Sequence, residues 1–425
     1  VVSNTAPNKD SAVSNTAPNP SGVRADIASL AHAFPHEPPI IVGAGPVGAI
    51  CALAMQHHGV APRVLEVRKQ SRTEGDARTL VLSHGSRLIL ERLGVWARLD
   101  KVTPITRIHI SQRGGFGATR LSADEEHLPA LGYVMSYGAL EIALEVEMSA
   151  AGIAVKYGTD VQSVESHTVY AAENQPYTSS LIVVADGGRS ETSPSPKLAH
   201  DYDQMAIVCE VQTELPHQNL AYERFTPDGP VALLPHDHGA IPTKNLASRS
   251  GNNTYALVWS VPPAEAEHIA SLDDDAFLAA LYRHFGGRQG RFIAVTPRKQ
   301  FPLKLSFVGA HAHAGVVRIG NAAQTLHPVS GQGFNIGMRD AWELAALCGD
   351  TPPESLGSAA MLRSYTQSRR MDVLGGMGFT DFLVRAFSND ITPLRQARGL
   401  GLLALELLPS LKHFVARRMI FGSRG

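Results

Sequence analysis

The stretch Ile40–Arg68, IIVGAGPVGAICALAMQHHGVAPRVLEVR, limits the fold more than any other part of the chain. An apolar run from Ile40 to Val42 enters Gly43-Ala44-Gly45-Pro46-Val47-Gly48 directly. Small and apolar residues continue to Met55, Gly59 breaks the run, and a second apolar run ends at Glu66. That order predicts strand, glycine turn, helix, strand, and an acid at the end of the second strand. Each part suits a dinucleotide. Gly43 permits a tight turn, Gly45 a close approach of backbone to pyrophosphate, and Gly48 close packing of helix on strand. The helix N-terminus offers unpaired N–H groups and partial positive charge, and Glu66 can accept hydrogen bonds from a ribose. A lone GxGxxG is a weak signal, and an ordinary glycine turn is the plain alternative. The flanking strand, helix and acid favour the dinucleotide, without saying which one.

At 425 residues, 44% hydrophobic and 18% charged, the chain has the composition of a globular protein and the length for two or more domains. A net charge of −1 argues against bulk nucleic-acid binding. Cys51, Cys209 and Cys348 lie far apart with no CxxC pair, which suggests neither a disulfide framework nor a zinc site and fits a reducing cytoplasm. No apolar run approaches the ~20 residues that span a bilayer, and the N-terminus lacks the basic start and apolar centre of a signal peptide. Residues 1–39 carry VSNTAPN at Val2–Asn8 and again at Val13–Asn19, and are too polar to offset their ordering entropy, so a disordered tail is expected.

After Glu66, Leu80, Ser83, Leu88, Leu90 and Leu93 predict a helix that packs one face and ends at Gly94, with Arg78 at its start as a surface arginine. Tyr133–Met135, Ile153–Tyr157 and Val161–Val164 read as strands, and Leu140–Ala150 as a helix. Leu181–Asp186 is apolar without alternation, the pattern of a strand buried on both faces in a parallel sheet, and it runs into Gly187-Gly188. From Tyr202 to Leu305 the texture changes to strands separated by turns, including Met205–Val211, Val231–Leu234 and Tyr255–Val261, with one helix at Asp273–Phe285. Val316–Ile319 resumes the earlier pattern. It leads into GNAAQTLHPVSGQGFNIGMRDAWELAALC, which from Gln332 onward predicts a second helix with a glycine-rich N-terminus suited to an anionic group. Near the C-terminus Leu400, Leu403, Leu407, Leu411 and Phe414 form an amphipathic stripe that Pro409 kinks or restarts. Basic residues accompany it. A membrane surface, a partner and the protein's own core are all open to such a helix.

GAGPVG, ADGGRS and GNAAQTLHPVSGQGFNIGMRDAWELA, in that order, resemble the three motifs of single-component FAD-dependent aromatic hydroxylases. Within that group the chain is similar to the ubiquinone-biosynthesis hydroxylases. It looks most like their 2-polyprenyl-6-methoxyphenol hydroxylase branch, on GNAAQTLHP and on AYERFTPDGPVALLP, Ala221 to Pro235. The resemblance covers roughly residues 38–420. It implies an α/β fold: a Rossmann-like FAD-binding domain, discontinuous over 38–200 and 306–350, and an inserted, mainly antiparallel β substrate domain over 201–305. A C-terminal helical region over 351–425 completes it.

The resemblance also implies residue roles. Gly43, Gly45, Gly48 and Glu66 match the ADP-binding unit, and Arg78 matches an arginine on the flavin side of the cofactor, in place of a surface role. Asp186 and Gly187 match an Asp-Gly motif tied to FAD and pyridine nucleotide. Gly320 and Asn321 match a Gly-Asp pair at the ribityl chain, where the amide keeps an acceptor but loses the charge. Pro328, Gly331, Gln332 and Gly333 match the loop and helix start beside the flavin ring. The implied reaction has NAD(P)H reduce FAD, O2 form a flavin hydroperoxide, and OH pass to an electron-rich, polyprenylated phenol. His327 and Pro328 are the catalytic candidates, His327 to orient or deprotonate the phenol, although a structural histidine is the plain alternative. A cytoplasmic protein is implied, with the C-terminal helix touching the inner face of a membrane or a quinone-biosynthesis complex. No metal is expected: His236-Asp237-His238 and His311-Ala312-His313 lack partners at ligand spacing. A hydroxylase or epoxidase of another apolar substrate, a flavin-binding scaffold subunit and an NAD-dependent dehydrogenase are the other readings.

Overall fold

The computed structural model describes residues 37–70, 78–172, 176–188, 198–237, 251–308, 312–313, 315–325, 331–387 and 392–422. Strand Ile40–Val42 pairs in parallel with Ile182–Val184 on one side and Arg63–Glu66 on the other. Val316–Arg318 and Ala154–Tyr157 extend the sheet in parallel, and Ala312–His313 closes one edge antiparallel. Ile40, Ile41, Ile182 and Val183 are fully buried, as apolar strands without alternation must be when both faces are covered.

Helix α1, Pro46–His57, starts directly after the glycine turn with proline at its first position, where the missing N–H has no partner to lose. It is buried from Ala49 to Met55 because it is wedged among the sheet and later helices. The helix expected to include Leu80 starts later. Thr79–Ser83 is a strand, antiparallel to Gly132–Ser136 with Leu80 opposite Met135, and α2 runs only from His84 to Arg92. Ser83 divides the two: its Oγ accepts the Ser86 N–H at 3.2 Å and caps the helix. Helix α3, Tyr137–Ala150, is capped in the same way by Ser136.

The second sheet has nine strands among the described residues. Leu198–Thr213 is its long central strand, paired with Thr254–Val261 and Lys299–Phe307, and Gly229–Pro235 joins Thr254–Val261 to Leu220–Thr226. Two strands come from earlier in the chain: Arg107–Gln112 pairs in parallel with Leu220–Thr226 and carries Ala118–Ser122 at the edge. The sheet therefore reaches into the stretch assigned by sequence to the first unit, because Ile108 and Ile110 need the same apolar face as Ala221. Helices α4, Pro263–Ser271, and α5, Asp274–Phe285, cover the sheet's other side, with Asp273 capping α5.

Helix α6, Gln332–Gly349, packs along α1 and is followed by the long α7, Ala359–Phe387. The chain ends in α8, Thr392–Leu407, and α9, Pro409–Phe421. Pro409 starts a new helix, and the two axes are bent by 97°. Ala416 and Ile420 of α9 are buried with Leu121 and Leu131, so this pair is docked on the body of the protein.

Candidate functional site: a two-walled cavity at the glycine turn

One cavity of about 1410 Å³ lies between the parallel sheet, the second sheet and the C-terminal helices. Its first wall is the glycine turn. Gly43 has φ +100°, and a side chain there would meet the Ala185 carbonyl oxygen at 2.7 Å. A Cβ on Gly48 would lie 2.0 Å from the Gly43 carbonyl oxygen. Gly45 differs from both: a Cβ there would meet nothing within 4 Å, because it faces the cavity at the N-cap of α1. Free backbone at a helix N-terminus facing an open cavity is the arrangement that receives a pyrophosphate. Gly187, with φ +76°, likewise has open space at its Cβ position and lines the same wall. The residues present therefore fit the dinucleotide half of FAD.

Glu66 is buried at the end of its strand and held in place. Its Oε2 accepts the Ala44 N–H at 2.6 Å, and its Oε1 accepts the Arg68 N–H and Nε, each at 2.9 Å. Arg68 reaches on to Glu141 at 2.8 Å. The acid thus braces the turn at the edge of the cavity, and each oxygen can accept further hydrogen bonds. Arg68 and Glu141, which the sequence reading did not single out, complete this brace. Arg78 also lines the cavity, its guanidinium 4.5 Å from the Tyr137 ring centroid. Asp186 turns the chain after its strand, its Oδ1 accepting the Gly188 N–H at 2.9 Å.

Gly320, Asn321, Gly331 and Gly333 line the cavity together with these residues, although some 280 positions separate Gly320 from Gly43 in the chain. Gly331 adopts φ +59° at the N-cap of α6, which leaves the first N–H groups of that helix at the cavity. Gln332 is directed elsewhere: its Nε2 donates to the Met419 carbonyl at 3.1 Å and ties α6 to α9. Gly48 serves packing and does not line the cavity. His327 and Pro328 lie outside the described residues, as do His238 and His311. Among the described residues no cluster of three or more metal-ligating side chains occurs.

Two further residues, Asn335 and Asp340, hold the start of α6 and the Gly320 loop. Asn335 Oδ1 accepts the Ser83 N–H at 2.8 Å and the Ser86 hydroxyl at 2.6 Å, while its Nδ2 donates to Gly331 O at 2.7 Å. Asp340 Oδ2 accepts from Gln324 Nε2 at 2.8 Å and from Gly320 N at 3.3 Å. Both lie within the late motif of the sequence, as buried polar residues on α6 among apolar neighbours. The signal available was a polar residue inside an otherwise apolar helical run.

The second wall is apolar. Ile108, Ala221, Phe225, Ala232, Leu234 and Val258 of the second sheet form it, and Leu402, Leu405 and Met419 of α8 and α9 close the roof.

Comparisons with known proteins agree with this geometry. The family described as "FAD binding domain" matches residues 38–373. The ubiquinone hydroxylase UbiL of Rhodospirillum rubrum is 30% identical over 89% of this chain and 88% of its own length. The 3-demethoxyubiquinol 3-hydroxylase of Escherichia coli is 28% identical over 88% and 95% respectively. Klebsiella pneumoniae HpxO, solved with FAD and uric acid, shares the fold with a TM-score of 0.68 at 18% identity, over 92% of this chain and 99% of that one. The chain belongs to the FAD binding domain family, as an FAD-dependent hydroxylase of the ubiquinone-hydroxylase group.

Proposed function

We propose that this enzyme hydroxylates a polyprenylated phenol on the route to ubiquinone, with NAD(P)H as reductant and O2 as oxygen source. The observation that carries the reading is the shape of the cavity. At about 1410 Å³ it exceeds the ~300–1,000 Å³ of a typical single-ligand site. One wall offers glycine backbone and helix N-termini, and the other offers apolar side chains, which suits a cofactor and an apolar substrate side by side.

FAD, when bound, supplies the oxygen activation that no protein side chain can perform. The chain's own residues hold and orient it. Gly45 and the N-terminus of α1 receive the pyrophosphate, Glu66 accepts from the ribose, and Arg78, Asp186 and Gly187 flank the cofactor. Gly320 and Asn321 meet the ribityl chain. The N-terminal N–H groups of α6 at Gly331 to Gly333 favour negative charge on the ring. Pro328 and His327 are assigned to the ring-side loop on resemblance. The roof over the apolar wall keeps water from the reacting atoms.

The outer face of the roof is the proposed membrane contact. Leu400 and Leu407 of α8, Phe414 of α9 and Leu408 between the helices are each more than half exposed, and none of them lines the cavity. No single described helix is long and apolar enough to cross a membrane, and the docking of α9 on Leu121 and Leu131 favours a peripheral contact. An apolar, tailed substrate dissolved in a bilayer would then meet the protein at its roof.

The test uses the purified full-length protein. Its flavin spectrum is recorded, and NAD(P)H oxidation is followed with and without 2-prenylphenol while mass spectrometry looks for the oxygenated product. Bound flavin, phenol-stimulated oxidation and product are expected. Flavin that never responds to NAD(P)H or any phenol would favour a scaffold, and no flavin at all would exclude the proposal.

A further inference from the structure

The apolar wall contains one acid. Glu223 sits on strand Leu220–Thr226 in a row that crosses the sheet, with Ile110 on one side, and Ala232 and then Val258 on the other. All four line the cavity. Among the described residues of this sheet that line it, Glu223 is the one carboxylic acid. Its Oε1 is buried and has no hydrogen-bond partner. Arg224, the next residue, does not help, because it points to the opposite face and reaches Ser111 Oγ at 3.4 Å. A buried, unpartnered carboxyl oxygen is expensive, and a fold keeps one most readily where a ligand supplies the missing donor.

We propose that Glu223 is a catalytic residue that accepts the substrate's phenolic hydroxyl and takes its proton. The assignment rests on the phenol hydroxylase reading above and deepens it. The O–H bond of the phenol breaks, an O–H bond forms on the Glu223 carboxylate, and the electron pair stays on the phenol oxygen. The ring becomes electron-rich and is held by its oxygen at a fixed point of the wall, with Ile110, Ala232 and Val258 against its faces and tail.

Burial alone pushes the Glu223 carboxyl up to about 8. The other charged groups that line the cavity, Arg398 in the roof and Glu66, Arg68, Arg78, Glu141, Asp160 and Asp186 elsewhere, do not offset that rise. A base of that strength lies about two units below an ordinary phenol, close enough for proton transfer in a dry site.

The experiment compares the FAD-loaded wild type, Glu223→Gln, Glu223→Asp and His327→Asn. Each is tested with 2-prenylphenol and with its methyl ether, by calorimetric binding and by hydroxylation rate across pH 6–9.5. Wild type is expected to bind the phenol roughly tenfold better than the ether, and its rate to rise with pH through about 8 as the carboxyl ionises. Glu223→Gln should abolish that rise and the preference for the free hydroxyl and lower kcat about 100-fold or more, while Glu223→Asp recovers part of both. In the cofactor-free protein Glu223→Gln should melt no lower than wild type, since it removes a buried ionisable group. A Gln variant that keeps both the pH step and the discrimination would overturn the assignment, as would a step that vanishes only in His327→Asn. A wild type that neither binds nor hydroxylates 2-prenylphenol would overturn the functional reading instead.

Discussion

Asp340 of α6 and Arg369 of α7 form a buried ion pair, Oδ1 to Nε, at 2.8 Å, and the other oxygen of the same carboxylate holds the Gly320 loop through Gln324 and the Gly320 N–H. Arg369 Nη2 continues to Asp372 at 2.7 Å, and Arg339 Nε meets the same Asp372 oxygen at 2.7 Å. Two acids and two arginines thus sit under the loop proposed to meet the ribityl chain. Their arrangement ties the position of that loop to the packing of two helices.

Asp340→Ala should therefore weaken both fold and cofactor. Removing one partner of a buried pair typically costs about 3–5 kcal/mol, and Arg369 keeps Asp372, so the low end is expected. Denaturant unfolding measures the first effect. Fluorescence titration with FAD measures the second, where a loss of at least tenfold is expected as Gly320 loses its anchor. Unchanged affinity in a destabilised variant would show that the loop holds its position without Asp340.

The same network predicts acid sensitivity. Burial by itself would raise the Asp372 carboxyl, but Arg339 and Arg369 outweigh it and hold the group below its ordinary value. A carboxylate depressed in the fold adds stability that is fully present above the unfolded value near 3.9 and is lost as pH falls through the folded one. Unfolding free energy should thus drop on acidification below about pH 4, and by less in Arg339→Leu, which removes one of the two compensating charges. Denaturant titrations at several pH values would reveal the difference in slope.

What the sequence disclosed follows from how local each signal is. The turn at Gly43–Gly48 and the acid at Glu66 declare themselves within one βαβ segment, and the buried strand at Leu181–Ala185 shows in its unbroken apolar run. Thr79–Ser83 resembles the start of a helix because Leu80 and Ser83, three apart, fit the face continued by Leu88, Leu90 and Leu93, and five residues are too few to separate periods of 2 and 3.6. The pairing with Gly132–Ser136, some 50 residues away, decided it. Arg107–Ser122 falls within the stretch 38–200 of the first unit, and its pairing into the second sheet has no local signal, since its partner strand begins at Leu220. Glu223 stood in a quoted stretch, yet its significance depends on Ile110 and Val258 beside it, contacts that no local window contains.

The glycines of the turn should separate folding from binding. Gly48→Ala forces a methyl group to 2.0 Å from a backbone oxygen, so a loss of about 1–3 kcal/mol or more is expected on thermal or denaturant unfolding even without cofactor. Gly45→Ala meets no protein atom within 4 Å, and its φ of −63° suits alanine. The cofactor-free variant should therefore unfold like wild type but bind FAD roughly tenfold or more weakly, because the methyl group occupies the space proposed for the pyrophosphate. Wild-type FAD affinity in Gly45→Ala would move the pyrophosphate away from this turn.

The proposed membrane contact calls for surface substitutions, since α8 and α9 have two jobs. Their inner side buries Ala416 and Ile420 and lines the cavity with Leu402 and Leu405, so a chain ending before Pro393 would lose the roof as well as any anchor. The outer side can be changed alone. Leu400, Leu407 and Phe414 are 59%, 67% and 64% exposed, so replacing them with serine removes apolar surface that touches little of the protein. The triple variant should fold, bind FAD and oxidise NAD(P)H with a water-soluble short-chain phenol as wild type does. It should fail to float with liposomes, and should lose activity on a long-tailed phenol presented in those liposomes. Equal flotation of variant and wild type would place the membrane contact, if the wild type has one, on another face. Loss of activity on the soluble phenol would show instead that the outer leucines hold the roof in place.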